Sequence, residues 1–492
     1  MGVESLSFSY AHQVLLFASG QGWQSYLHWP PGYSLSALAI HLFGLTPLRS
    51  LWIISLISYT CSAGLIFLLA RRWTDGRKAL IAVALFALNP VMLRWANQAM
   101  TEMIFMAVSL LTFYALERVY FRAAALPRGG SFLAGCLLAL PYWMRNIGLI
   151  SVALGFIGLL SAFIYYKQKR RAVLVTGMMT LLTMLPLLLR NLLYKSNLTG
   201  HGLGNQPRAD FMSALLDSLR LTWQAWMPLP ETCKPWLAHS SLALALLLLI
   251  GLAAFFSSKR CFAGLLASYS MMYLLAFAYA YSHTRIDLLN DRFIVPIIPF
   301  LCLSLVLVWY EIERLPNIQA VVKKGMYLLI GVSTVFIAAR GGQAMIKGFP
   351  DLADRLSIQT IRYFLQHANK GTTYAGNRNQ IQAYSLDYPF YQIPGNRPED
   401  ADYMRGRRIT WTRASAIRFW LEKDIRFVIL FSGVNRDDPL LEARAYGSYV
   451  DSMRTVPLPE IASAIDLADG KVLHLADPQV LQDCLHKRER AR

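Results

Sequence analysis

The sequence predicts a polytopic α-helical membrane protein with a C-terminal α/β soluble domain, on three observations. The 492-residue chain is 55% hydrophobic and only 16% charged, and its mean hydropathy is positive, which is too apolar for a soluble chain with one ordinary core. Between residues 51 and 340, apolar runs close to the length that crosses a hydrocarbon layer of about 30 Å alternate with short polar breaks. After residue 340, charges become frequent and no run is long enough to span. The expected division is an outer lead segment with interfacial helices, 1–50, a membrane domain, 51–340, and a soluble domain, 341–492.

The lead segment is too polar for a spanning helix: Glu4, His12, Gln13, Gln21, Gln24 and His28 interrupt it, and Trp29-Pro30-Pro31-Gly32-Tyr33 breaks it. Leu6, Tyr10, Val14 and Phe17 fall at helical spacing and 33–45 forms a second short apolar helix, so both are expected to lie along the membrane surface. About ten spanning helices follow, at 51–70, 79–95, 103–118, 131–144, 149–166, 172–189, 239–256, 261–281, 292–310 and 325–340. The long loop between the sixth and seventh carries Trp223, Trp226 and Trp236, which favour a segment resting on the bilayer interface. In the last domain, 358–368 and 414–421 read as helices and 372–374 and 427–431 as strands. A closing hairpin, 462–467 with 471–475, turns at Asp469-Gly470. No repeat of the kind seen in inverted-repeat transporters is visible.

The formal charge of +19 points to membrane topology, not to nucleic acid. Arg71, Arg72, Arg77 and Lys78 form one basic break, Arg118, Arg122 and Arg128 a second, and Lys167, Lys169, Arg170 and Arg171 a third. Breaks poorer in basic residues alternate with them, so one orientation satisfies every loop. The basic loops are expected in the cytoplasm, and the lead segment, the long loop and everything after Arg340 outside. The six cysteines show no CxxC or metal-like spacing, and no cleavable signal peptide is visible. Asn197-Leu198-Thr199 is a glycosylation sequon in the long outer loop, but the short loops and the basic signature suit a bacterial inner membrane equally well, and the sequon is read as chance.

A charge near hydrocarbon costs about 2.5 to 3.5 kcal/mol on insertion scales, so polar groups at the ends of apolar helices are informative. Glu4, Glu102, Arg145, Arg190, Asp291 and Arg292 all fall on the expected outer side. Singly they read as snorkelling interfacial charges; jointly they suit a reaction in which a carboxylate takes a proton from an acceptor hydroxyl while arginines hold a phosphate leaving group. A transporter would place such groups at mid-membrane on broken helices, and a scaffold or sensor would work through the outer domain alone. No His, Cys or Asp cluster has metal-ligand spacing, although a lipid phosphate beside Glu4 and Glu102 can recruit a divalent cation.

Several motifs resemble one family. Gly2-Val3-Glu4-Ser5, Tyr10, Gly20, Gly22, Trp29-Pro30-Pro31-Gly32-Tyr33 and Leu42-Phe43-Gly44 look like the first outer loop of C-type glycosyltransferases. Ala70-Arg71-Arg72, Ala87-Leu88-Asn89-Pro90, Thr101-Glu102-Met103-Ile104-Phe105, Met144-Arg145-Asn146, and Asp291-Arg292-Phe293 through Pro296 and Pro299 are similar to motifs of its polyprenyl-phosphate-dependent branch, which includes protein mannosyltransferases and aminoarabinose transferases. The resemblance covers residues 1 to about 310. It implies an inverting transferase that takes a sugar from a polyprenyl-phosphate donor, in the membrane lipid, to a lipid, glycan or protein acceptor. Glu4 would be the catalytic base, in a place where the family usually carries Asp, with Glu102 supporting it. Arg145 and Arg292 would bind the carrier phosphate, and Tyr10, Trp29, Tyr33, Arg190 and Asp291 would join the substrate-binding set. Family members carry a spanning helix ahead of the acidic loop, so a further helix upstream of Met1 is expected in a longer chain.

Overall fold

The computed structural model describes residues 5–23, 29–122, 129–166, 169–195, 210–226, 261–283, 291–314, 320–347, 358–376, 381, 385–392, 413–431, 459, 461–467 and 470–490. Glu4, the expected span 239–256, Trp236 and Asp469 lie outside them. The chain divides into two compact units, one of Gly20–Leu45 with Arg49–Phe349, the other of Met1–Ser19, Thr46–Leu48 and Pro350–Arg492.

The chain opens with α1 (Ser5–Ala18), which belongs to the second unit. The first unit contains α2 (Gly32–His41), most of α3 (Pro47–Trp73), α4 (Gly76–Ala87), α5 (Pro90–Ala96), α6 (Thr101–Leu116, continued by a π-turn to Arg122), α7 (Gly130–Met144), α8 (Leu149–Tyr165), α9 (Arg170–Lys195), α10 (Phe211–Trp226), α11 (Cys261–His283), α12 (Ile298–Arg314) and α13 (Ala320–Lys347). Among the described residues five helices are long and apolar enough to cross a membrane, or six if the bent pair α4 and α5 is one span. The sequence reading drew 79–95 as one continuous span, and the structure corrects this: the helix bends by 64° between Ala87 and Pro90. Pro90 has no N–H for the preceding turn, and the Asn89 side chain caps the new helix by accepting from Val91 N and Met92 N. The same amide donates to the carbonyls of Ala225 and Trp226 at 3.0 Å, so Asn89 also ties down the end of α10. Tyr59 Oη donates to the freed Ala87 carbonyl at 2.5 Å.

Helix packing uses small residues, as expected where lipid competes equally for apolar side chains. A Cβ on Gly135 of α7 would lie 2.6 Å from the Thr176 carbonyl of α9, and Thr180 Oγ1 donates back to the Gly135 carbonyl at 3.2 Å. The opposite stripe of α9, Leu174, Met178, Leu181, Leu185 and Leu189, is exposed at helical spacing, which is a lipid-facing surface. The segment Asp291–Arg314 is 94% buried over its most apolar window, so it forms the centre of this unit.

The second unit has a five-stranded sheet built from β1 (Tyr374–Gly376), β2 (Phe390–Gln392), β3 (Phe427–Phe431), β4 (Ile461–Leu467) and β5 (Gly470–Leu475), in the order β2-β1-β3-β5-β4. β1 pairs parallel with β2 and β3, and β5 pairs antiparallel with β3 and β4. With it go α14 (Ile358–His367), α15 (Arg413–Glu422) and α16 (Pro478–Arg490). Ile417, Trp420, Val428, Leu473 and Leu481 form its core.

Candidate active site

The site starts from a buried carboxylate. Glu102 sits in the first turn of α6, where the helix dipole favours a negative charge, and it is 0% exposed. Two arginines from other elements converge on one of its oxygens: Arg145 Nη1 donates to Oε1 at 2.9 Å, and Arg292 Nε donates to the same atom at 2.8 Å. Oε2 is buried and has no hydrogen-bond partner. The Arg145 and Arg292 side chains keep 14% and 11% of their surface exposed, whereas the carboxylate keeps none.

Local backbone chemistry places each arginine. Arg145 ends α7 in an extended conformation, and the chain re-enters a short 3-10 turn, Asn146–Gly148, before α8. A Cβ on Gly148 would lie 2.1 Å from the Pro141 carbonyl, so the tight turn that aims Arg145 requires glycine. Arg292 lies in a 3-10 turn, Asp291–Phe293, whose last carbonyl accepts from Tyr273 Oη at 2.9 Å. The Phe293 ring lies 5.9 Å from Arg145 and 4.9 Å from Arg292 and orients both guanidinium groups.

The Trp29-Pro30-Pro31-Gly32-Tyr33 segment is built into this scaffold. Arg190, 1% exposed near the end of α9, donates to the carbonyls of Trp23 (2.8 Å) and Trp29 (3.3 Å). A Cβ on Gly32 would fall 2.5 Å from the Trp143 carbonyl, two residues before Arg145. Tyr33 is fully buried; its hydroxyl donates to the Leu51 carbonyl and meets Ser55 Oγ, which reaches the Met100 carbonyl, two residues before Glu102. Of the residues singled out in the sequence, the structure therefore brings Glu102, Arg145 and Arg292 into direct contact. Arg190, Trp29 and Tyr33 are tied to their supports through backbone carbonyls and buried hydroxyls. Tyr10 is buried in the other unit, and Glu4 lies outside the described residues.

Asp291 pairs with Arg94, which the sequence reading passed over: Arg94 Nη2 donates to both carboxylate oxygens, at 2.7 and 2.5 Å. The available signal was a charge inside an apolar run expected to span. Among the described residues no group of three or more His, Cys, Asp or Glu side chains is placed to hold a metal.

No protein-family model and no curated protein matches the chain. Solved structures do. ArnT from Cupriavidus metallidurans in the apo state is similar with a TM-score of 0.60 at 14% identity, over 96% of this chain and 94% of that one. The same protein bound to undecaprenyl phosphate gives 0.58 at 14% identity, over 94% and 92%. The Archaeoglobus fulgidus oligosaccharyltransferase in the apo form gives 0.50 at 12% identity, over 87% of this chain and 66% of that protein's length. At such identities the likeness speaks to architecture alone, and over nearly the whole chain that architecture is the fold seen in ArnT.

Proposed function

We propose that the protein is a membrane glycosyltransferase that moves a sugar, with inversion, from a polyprenyl-phosphate donor to a hydroxyl-bearing acceptor at the outer membrane face. The observation that carries this reading is the convergence of Arg145 and Arg292 on the single buried carboxylate of Glu102, which gathers two guanidinium groups at the start of α6. Such a site suits a phosphate leaving group, because neutralising its charge removes the need for a general acid. The two carboxylates of a glycosidase flank the scissile bond as acid and base, whereas Glu102 is already committed to the arginines. A similar fold in a protein solved with undecaprenyl phosphate supports a polyprenyl carrier.

In this mechanism Arg145 and Arg292 hold the carrier phosphate as negative charge develops on it. Glu102 fixes both guanidinium groups. Glu4, carried by the segment that resembles the family's first outer loop, takes the acceptor proton as the hydroxyl attacks the anomeric carbon from the face opposite the phosphate. The deciding measurement is single-turnover transfer from a polyprenyl-phosphate sugar. Glu4→Gln keeps shape and polarity but cannot accept the proton, so transfer is expected to slow by roughly 10² to 10⁴ with donor binding intact. Glu4→Asp restores the residue that the resembling family usually carries and is expected to keep activity. Transfer by Glu4→Gln at the parent rate would remove Glu4 from the chemistry.

A further inference from the structure

The soluble unit carries a cavity that the proposed transfer does not use. Across three neighbouring strands of its sheet, Phe427 of β3 stands opposite His474 of β5, and His474 stands opposite Ser463 of β4. Val472 and Ile465 pair in a second row on the same face. Alternation sets that face, because Val428, Leu473 and Leu475 point the other way, into the core shared with α15 and α16. Tyr363 and His367, one turn apart on α14, complete the lining, and the cavity holds about 180 Å³.

Much of its wall is made of ring faces. The His474 imidazole lies flat on the Phe427 ring, with centroids 4.6 Å apart and planes within 1°. Phe427 is buried and braced by Phe364, 5.3 Å away and nearly perpendicular, whereas His474 is exposed. On α14 the Tyr363 and His367 rings stack at 4.0 Å. His367 Nδ1 lies 2.8 Å from the Tyr363 carbonyl, which can only accept, so Nε2 of the neutral ring is an acceptor. No Lys, Arg, Asp or Glu lines the cavity, so it offers an anion no fixed cationic side chain. Among the described residues no three ligand side chains are placed for a metal either. An apolar guest would strip water from two imidazoles and the Ser463 hydroxyl without replacing its hydrogen bonds. A sugar ring answers both features: its C–H face carries the partial positive charge that an aromatic face attracts, and its hydroxyls both donate and accept. The volume falls below the roughly 300 to 1,000 Å³ of sites for larger ligands, so the cavity has room for one ring.

We propose that this cavity binds one neutral sugar residue of a glycan, its C–H face on the His474–Phe427 stack and its hydroxyls bonded to His367 Nε2 and Ser463 Oγ. The site goes beyond the transfer reaction and stands independently of it.

The test is a saturation-transfer NMR titration of the full chain in lipid nanodiscs with the methyl glycosides of glucose, galactose, mannose, arabinose and N-acetylglucosamine. At least one is expected to bind with a dissociation constant on the order of 1 mM, the affinity that about a dozen non-hydrogen atoms reach in a formed site. His474→Ala removes the exposed ring and is expected to weaken binding roughly tenfold, whereas His474→Phe keeps a stacked ring and stays within about threefold of the parent. His367→Phe keeps the α14 stack without Nε2 and is expected to lose roughly two- to tenfold, the size of one hydrogen bond. Both histidines are exposed, so each variant is expected to keep the parent's thermal unfolding midpoint. If His474→Ala lowers it, His367→Phe decides alone, and parent affinity there overturns the site. Parent affinity in a folded His474→Ala places the sugar elsewhere and overturns it as well. A parent that binds none of the glycosides overturns it outright, and one that binds N-acetyltyrosine amide in their stead makes the cavity a peptide site. A chain that binds a glycoside through His474 and transfers no sugar keeps this site and loses only the transferase reading.

Discussion

Glu102 is the residue on which the site's energetics turn. A fully buried carboxylate is tolerable only with its charge compensated, and Arg145 and Arg292 supply that compensation from two other elements. Each arginine holds Glu102 and, on the function proposed above, also meets the carrier phosphate. Arg145→Ala or Arg292→Ala is expected to cost roughly 1.5 to 3 kcal/mol of undecaprenyl-phosphate affinity, the range for hydrogen bonds to a charged group, and titration calorimetry reads it directly. Lysine should rescue in part, since it restores charge without the planar fork. Because both arginines meet one oxygen, their losses should be coupled: the double variant falls short of the sum of the two single effects. Unchanged binding in both single variants would assign these arginines to structure alone. These three residues were legible in the sequence because a charge at the end of an apolar run stands out against its background. Arg94 carried a similar signal, a charge inside an apolar run, and was passed over because that run reads as one continuous span unless the Asn89-Pro90 step is taken as a break.

The connections between helices carry as much of the design as the helices. Asn89 caps α5 with its carbonyl oxygen and holds the end of α10 with its amide nitrogen, so Asn89→Ala removes both in one step. About 1 kcal/mol from the lost cap and more from the stranded Ala225 and Trp226 carbonyls are expected, read as a lower thermal unfolding midpoint. Gly32 offers a sharper contrast. Its added Cβ would meet the Trp143 carbonyl at 2.5 Å, whereas one on Gly64 of α3 meets nothing within 4 Å. Gly32→Ala should therefore displace α2 from α7 and disturb Arg145, and Gly64→Ala should not. In the other unit, burial pushes the His12 imidazole of α1 down from 6.5 to about 4. A folded-state value below the unfolded one means that the fold favours the neutral ring. Its contribution is full above pH 6.5 and is lost as pH falls toward 4, by up to on the order of 3 kcal/mol. Amide exchange in α1 should accelerate across that window, and His12→Gln should abolish the acceleration. In that unit α14 and α15, and the strands at Phe427 and at the closing hairpin, were readable from periodicity; β2, only three residues long, and the C-terminal α16, too polar to stand out, were not.

Chemistry divides the membrane unit into two unlike ends, and this division gives an expectation for which way the chain faces. Glu102 begins α6 and Glu117 follows its last turn, about 22 Å apart at 1.5 Å per residue. Around Glu102 are Arg145, Arg292 and the Arg94–Asp291 pair. At the other end Arg72 pairs with Glu117, and Trp73 Nε1 donates to the same carboxylate at 3.2 Å. Lys78 bridges Asp75 and Glu313, and Lys169 Nζ donates to the Tyr120 carbonyl at 2.8 Å. The connections at this second end also carry Arg71, Arg77, Arg170 and Arg171, so it is the more basic, and by the positive-inside rule it is the end expected in the cytoplasm. α13 starts beside Glu313, which Tyr327 contacts, and passes Leu88 at Gly341, so the chain climbs from the basic end toward the end that carries Glu102. The expected outcome is that Glu102 and residues 350–492 share the outer compartment. An alkaline phosphatase reporter, active only outside, should be active when fused at Arg492 and silent at Lys169, and a fluorescent reporter that matures only in the cytoplasm should give the opposite pair. The reverse pattern would place the arginine cluster in the cytoplasm, where a cytoplasmic donor replaces the outer-face one, and the outer-face assignment would fall with it.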